Sequence, residues 1–247
     1  VSGTLGITSA GAVTDSGTLA ITGATTISAS GQDITLDEAA STFGTLALTG
    51  ANVAITDAGA TDLGASTVSG TLGITSAGAV TDSGTLAIVG ATTISASGQD
   101  ITLDEAASTF GTLALTGANV AVTDAGATDL GASTVSGTLG ITSGGAITDS
   151  GTLAITGAAT LDNSGGTNDA ITLDDSSNAF NGTVTFTTDS GSAVTIVDTT
   201  ALDLVALTAA SLNVTSGGAV TDSGTLAIAG ATTISASGQD ITLDEAA

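Results

Sequence analysis

The stretch SGTLGITSAGAVTDSGTLAITGA, residues 2–24, returns almost unchanged at residues 69–91 and again at residues 136–158. Its apolar residues alternate with Thr, Ala or Gly, which is the two-residue period of a β-strand with one buried face. Gly, Ser and Asp separate the alternating runs and supply turns. The residues expected to point inward are Leu5, Ile7, Val13, Leu19 and Ile21.

The whole chain is a tandem repeat with a period of 67 residues. The copies cover residues 1–67, 68–134, 135–207 and 208–247, of which the third is divergent and expanded and the fourth is partial. The first two copies differ only where Thr22 becomes Val89 and Ile55 becomes Val122. We expect a single continuous β-solenoid over residues 1–247, because near-identical repeats favour an open stack in which each unit matches its neighbours.

The repeat divides into coils of similar composition. The runs TLGIT at Thr4, TTISA at Thr25 and TLALT at Thr45 are predicted to be the same strand in successive coils, and the next TLGIT begins at Thr71. This interpretation gives coils of 21, 20 and 26 residues, about three short strands per coil and three coils per repeat. The fold class is therefore all-β, a parallel β-solenoid of about 11 coils spaced roughly 4.8 Å apart. A β-sandwich or barrel is the alternative, although its strands are rarely near-copies of one another.

The charge of the chain excludes several classes of partner. There are 24 acidic residues and no Lys, Arg or His, so the formal net charge is −24. Nucleic-acid phosphates and anionic membrane surfaces both require cationic side chains, so neither is an expected partner. A three-coil repeat would place equivalent acids about 14 Å apart, beyond the Debye length at physiological salt.

The quoted stretch, followed by ITLDEAASTFGTLALTGANVAITDAGATDLGAST at residues 34–67, resembles the repeats of giant bacterial surface proteins. These are filamentous-haemagglutinin-like adhesins and autotransporter-type passenger domains. The resemblance implies a right-handed parallel β-helix, secretion to the cell exterior, and a role as a stalk, adhesin or fibre. The complete loss of basic residues departs from that group. The chain is expected to be a segment of a longer protein.

The sequence offers little for catalysis, and we predict no enzyme, no catalytic residues and no cofactor. There is no His, Cys or Lys, and Asp33 and Asp37 would lie about 13 Å apart along a strand, too far for a pair of glycosidase carboxylates. Calcium is the main alternative to no metal. The acidic stretches SGQDITLDEAA (residues 30–40) and LDNSGGTNDAITLDDSSN (residues 161–178) would be its candidate sites, but neither matches a known loop.

Two further features have simple explanations. Outward Thr residues suggest an ice-binding surface, but they do not form one regular row through the repeat. The sequons at Asn181 and Asn213 are interpreted as accidental in a bacterial protein.

Two functional hypotheses remain. The first is a structural segment of an extracellular fibre, stalk or sheath that self-associates end-to-end or laterally into a filament. The second is an adhesin that binds glycans or neighbouring cells. A unique binding site requires a unique sequence, and the divergent stretch 159–204 in the third copy supplies one.

Overall fold

The computed structural model describes residues 3–244 and forms two compact units, Val1–Thr123 and Asp124–Ala247. Residues 1–2, which open the first copy, and residues 245–247, which end the fourth, lie outside the described part. Within residues 3–244 there is no helix long and apolar enough to cross a membrane. Each unit is a parallel β-solenoid, as the sequence predicts, and the two comprise about 12 turns against the 11 expected. That one solenoid is continuous over residues 1–247 stays a prediction.

The strands of the first unit are short and follow one another closely along the chain. They are β1 (Leu5–Thr8), β2 (Val13–Thr14), β3 (Thr25–Ser28), β4 (Ile34–Leu36), β5 (Thr45–Gly50), β6 (Val53–Asp57), β7 (Thr61–Leu63), β8 (Ser66–Val68), β9 (Leu72–Ser76), β10 (Val80–Asp82), β11 (Leu86–Ile88), β12 (Thr92–Ser95), β13 (Ile101–Leu103), β14 (Thr112–Gly117) and β15 (Val120–Asp124).

The second unit is built in the same way. Its strands are β16 (Thr128–Leu130), β17 (Ser133–Val135), β18 (Leu139–Ser143), β19 (Ile147–Asp149), β20 (Leu153–Ile155), β21 (Ala159–Asp162), β22 (Ile171–Leu173), β23 (Ala179–Phe180), β24 (Thr183–Thr187), β25 (Ala193–Asp198), β26 (Leu202–Leu204), β27 (Leu207–Ala209), β28 (Ser211–Ser216), β29 (Val220–Asp222), β30 (Leu226–Ile228), β31 (Thr232–Ser235) and β32 (Ile241–Thr242).

Two main parallel sheets face each other across the core of the first unit. One follows the order β1-β3-β5-β7-β10-β13-β15 and the other the order β2-β4-β6-β9-β12-β14. The short strands β8 and β11 pair with each other, and β8 also pairs with the end of β5. Turns that contain them have the three strands predicted, whereas the earlier turns have two strands and an isolated bridge between Ala20 and Thr42.

The number of turns per repeat corrects the prediction. In the first sheet Leu5 pairs with Thr25, Thr25 with Leu46 and Leu46 with Leu63, so the turns contain 20, 21 and 17 residues. The chain then crosses to the other sheet, where Leu72 of β9 pairs with Val53. The second TLGIT therefore lies on the opposite sheet from the first. Each 67-residue copy makes three and a half turns, where the sequence predicts three.

The physical reason for the extra half-turn is a strand that begins with a buried polar residue. Thr61 is 1% exposed, and its hydroxyl donates to Ser76 Oγ at 3.0 Å. Because this hydrogen bond satisfies the hydroxyl inside the core, residues 61–63 form β7 under β5 rather than an extension of the third coil. Equivalent residues of successive copies consequently lie on opposite sheets, and return to the same sheet only after seven turns, about 34 Å.

The expanded third copy has the same half-integral geometry. In the second unit β18 pairs with β21, β21 with β24 and β24 with β26, after which β28 lies in the other sheet against β25. The extra residues are absorbed between strands, chiefly in residues 163–170 and 188–192. Three and a half turns are thus retained although this copy is longer than 67 residues.

A thin aliphatic core fills each unit. Leu46, Leu48 and Ile27 are at most 1% exposed, and Phe43 and Phe110 are buried at 7% exposure, as predicted. In the first turn of the first unit only Val13 and Ile21 of the five predicted inward residues are fully buried, while Leu5, Ile7 and Leu19 are half-buried. The corners are tight: a Cβ added to Gly44 would lie 2.6 Å from the carbonyl oxygen of Gly23 in the preceding turn.

Candidate functional site: acidic corners and a groove in the third copy

The acidic side chains lie mainly at the corners of the solenoid, where they accept hydrogen bonds from backbone N–H groups of the next turn. The carboxylate of Asp15 accepts from Asp37 N at 3.2 Å, and Asp82 accepts from Asp104 N at 2.9 Å. Asp149 repeats the arrangement in the third copy, with Asp174 N at 2.8 Å. Because an ionised carboxylate only accepts hydrogen bonds, these acids satisfy backbone donors that the strands leave unpaired. They need no cation to do so.

A second corner carries a ladder that spans three turns. Asp33 Oδ1 accepts from Asn52 N at 3.1 Å and from Asn52 Nδ2 at 3.0 Å. Asn52 Oδ1 in turn accepts from Thr71 N at 3.0 Å. Asp100 binds Asn119 in the same way one copy later. The side chains at this corner therefore extend the backbone hydrogen bonding between turns.

Three carboxylates are held almost out of solvent. Asp57 and Asp198 are each 1% exposed, and Asp82 is 9% exposed. Burial is the largest influence on all three and raises their pKa above the ordinary value of 3.8, although N–H donors oppose it. At Asp82 the neighbouring charges of Asp104 and Glu105 add to the increase in pKa. The exposed Asp189 is the opposite case, because the N–H of Asn168 and the hydroxyl of Ser192 lower its pKa.

The two acidic stretches considered for calcium use their oxygens locally. In residues 161–178 the carboxylate of Asp162 accepts from Ser164 N at 2.9 Å, Asp169 accepts from Thr167 N at 3.1 Å and Asp175 accepts from Ser177 N at 2.9 Å. In residues 30–40 Asp37 is exposed and Glu38 half-buried. Nowhere in residues 3–244 do three or more acids come together in a group that could hold a metal ion.

The outward threonines do not form an uninterrupted row. The outer column of the second sheet in the first unit passes through Thr14, Thr35, Ala54, Gly73 and Thr93. Ala and Gly break the row of hydroxyls in the middle, because copies one and two place different strands on this sheet. The surface is flat, small and largely uncharged.

The third copy contains a groove that copy one lacks. In copy one β5 pairs with β7 through Thr45 and Leu46 and with β8 through Thr49 and Gly50. The corresponding strand β24 pairs with β26, while β27 pairs only with β30 in a separate two-stranded sheet. A groove of about 350 Å³ opens at this split. It is lined by Phe186, Thr187, Thr188, Ala206, Leu207, Thr208, Thr225 and Ala227.

Two sequence differences account for the split. In copy one the buried Ser66 hydroxyl accepts from Leu48 N at 3.0 Å and donates to Gly64 O at 2.8 Å, which ties β8 to β5. Leu207 replaces this serine in copy three and has no hydroxyl, while residues 189–191 are inserted directly after the end of β24. Only Thr188 bridges the two segments there, through a hydrogen bond from its hydroxyl to Thr208 O at 2.6 Å.

The groove lies partly outside the stretch 159–204 that the sequence singles out. Its far wall comes from residues 206–227, one turn further along the chain. Comparison of the copies at the Ser66 position is the signal that would have located it. The two sequons are both exposed: Asn181 precedes β24 and Asn213 lies on the outer face of β28.

Fold and corner chemistry together define a class, namely a parallel β-solenoid made of tandem repeats. The chain belongs to the family described as "Repeats of unknown function (DUF5649)", whose pattern matches residues 1–49, 50–116, 117–187 and 191–247. No curated protein and no solved structure was found to match the chain.

Proposed function

We propose that the chain is a structural repeat segment of a giant secreted bacterial protein that forms an extracellular fibre, stalk or sheath. The observation that carries the proposal is the three-and-a-half-turn geometry, which copies of different length retain. A scaffold requires constant rise and constant corners, and here the acids serve those corners as backbone acceptors. The function is then length and surface, produced by stacking.

The proposal includes the finer points that the resemblance implies. These are a right-handed coil, kinship with haemagglutinin-like or autotransporter-type surface proteins, a location at the cell surface, and end-to-end or lateral self-association. The absence of Lys, Arg and His argues against nucleic acid and anionic membrane as partners. The same absence, with no His or Cys, argues against an enzyme.

Electron microscopy and fibre diffraction of the secreted protein test the proposal. The expected result is a filament with an axial spacing near 4.8 Å between turns and a longer repeat of roughly 34 Å, the seven turns after which identical residues return to one face. Secreted material without filaments, or filaments without either spacing, would contradict it.

The groove supports a second candidate function, an adhesin that attaches to glycans or other cells through the third copy. A chimera in which residues 135–207 are replaced by the sequence of residues 68–134 tests it, because three and a half turns are retained. We expect filaments to persist and cell attachment to be lost. Attachment that survives the replacement would rule out this candidate and leave the scaffold intact.

A further inference from the structure

We propose that the groove between β24 and β27 binds a single neutral sugar ring of a glycan. This inference rests on the second candidate function and names the site and ligand class that it needs. The chemistry of the lining, its charge and its restriction to one copy each point to the same ligand.

The lining combines an apolar floor with a hydroxyl-bearing rim. Phe186 and Leu207 are each 3% exposed and form the floor, while Thr187, Thr208 and Thr225 are exposed at the rim. A pyranose ring has the complementary surfaces, since its C–H groups form an apolar face and its hydroxyls form a polar edge. The volume of about 350 Å³ lies at the lower end of the range for small-ligand sites.

Charge restricts the ligand to an uncharged one. No residue that lines the groove is ionisable, and the chain has no cation to pair with an acidic sugar. The formal net charge of −24 would repel a uronate or a sialate as it approaches. A cationic ligand lacks a carboxylate in the lining, so a neutral glycoside fits best.

Copy one supplies an internal comparison, because its equivalent position is closed. There Thr49 pairs with Thr67 and the Ser66 hydroxyl bridges the strands, which leaves no space between them. Ala87 pairs with Thr67 in that copy, just as Ala227 pairs with Thr208 beside the groove. Matched substitutions at these two alanines therefore separate an effect on the groove from a general effect on the solenoid.

The test measures binding of neutral glycosides to the full 247-residue chain by saturation-transfer NMR and titration. The probes are the methyl glycosides of glucose, galactose, mannose and N-acetylglucosamine, with methyl glucuronide as the anionic counterpart of the glucoside. We expect at least one neutral glycoside to bind and the glucuronide to bind at least about tenfold more weakly. Ala227→Trp, which fills the groove from its exposed rim, should weaken binding by about tenfold or more, and Ala87→Trp by less than about twofold.

Circular dichroism confirms that each variant is folded, and Thr208→Trp with Thr67→Trp forms a second matched pair if Ala227→Trp is not. The inference is overturned if no neutral glycoside binds, if the glucuronide binds equally well, or if the groove and control variants lose binding alike. If sugar binding fails while the chimera still loses cell attachment, the adhesin function stands and only this site is wrong.

Discussion

The buried carboxylate of Asp198 allows a sharp test of how an all-acidic chain is stabilised. One oxygen, Oδ1, accepts from Phe180 N at 3.1 Å and from Thr200 N at 3.0 Å. Thr200 Oγ1 lies 3.2 Å from Oδ2 and donates to Phe180 O at 2.9 Å. An Asn here would keep the Oδ1 acceptor and place an N–H donor beside the threonine oxygen, so Asp198→Asn removes the charge without losing a hydrogen bond.

The magnitudes follow from the backbone donors. Asp198→Ala leaves two buried N–H groups without an acceptor, at about 1–3 kcal/mol each, and relief of the buried charge offsets part of this cost. We expect Asp198→Ala to lower the free energy of unfolding by about 2–4 kcal/mol at neutral pH. Asp198→Asn should be at least as stable as the native chain, because it also avoids desolvating a charge.

The pH dependence should be the reverse of ordinary acid denaturation. Burial raises the pKa of Asp198 above 3.8, so the folded state holds its proton more tightly than the unfolded state. The free energy of unfolding therefore increases as the pH falls through the raised pKa towards 3.8, and it is lowest at pH values above both. The raised pKa values of Asp57 and Asp82 act in the same direction.

Urea denaturation followed by far-ultraviolet circular dichroism measures these effects, since the chain has no Trp or Tyr for fluorescence. The native chain should unfold at a higher urea concentration at about pH 5 than at neutral pH, and Asp198→Asn should reduce that difference. The reasoning is refuted if Asp198→Ala is as stable as the native chain. It is equally refuted if acidification lowers the midpoint.

Three further predictions concern the corners and metal binding. Gly44→Ala should cost more than about 2 kcal/mol because its Cβ would meet a backbone carbonyl oxygen at 2.6 Å, whereas Gly6→Ala, with nothing within 4 Å, should be neutral or slightly stabilising in thermal melts; equal effects would contradict this. Asn178→Ala should cost about 1–3 kcal/mol in urea denaturation by removing the acceptor of Leu153 N at 2.7 Å. Asn178→Ser should be better tolerated, since Ser108 fills that role in copy two, and no difference between the variants would disprove the assignment. Calcium or excess EDTA should leave the melting midpoint unchanged by calorimetry, as no described group of acids could hold a metal, and a shift of several degrees would refute that.

The sequence predicts the strands well because alternation of apolar residues is a local signal. The runs TLGIT, TTISA and TLALT form β1, β3 and β5, and they stack in the predicted order. The half-turn escapes prediction because β7 begins with the buried Thr61, whose inward position depends on the Ser76 hydroxyl in the following turn. A polar residue in the core gives no apolar signal, so the repeat was counted one half-turn short.

The groove was only partly predictable for a related reason. Divergence of the third copy indicates where a unique site can lie, and one wall of the groove is indeed Phe186 to Thr188. The opposite wall comes from residues 206–227, which a parallel solenoid places alongside one turn later. Sequence divergence marks the strand that changes, whereas the space it opens depends on the neighbouring turn.

The most direct test of the three-and-a-half-turn repeat uses pairs of introduced cysteines, since the native chain has none. Ala54 and Gly73 are paired on adjacent strands of one sheet, within the range of a disulfide, whereas Ala47 lies on the opposite sheet from Gly73. A three-turn repeat would instead stack Ala47 on Gly73. We expect Ala54→Cys with Gly73→Cys to form an intramolecular disulfide under mild oxidation, and Ala47→Cys with Gly73→Cys to remain reduced. The opposite outcome would contradict the architecture on which the scaffold function rests.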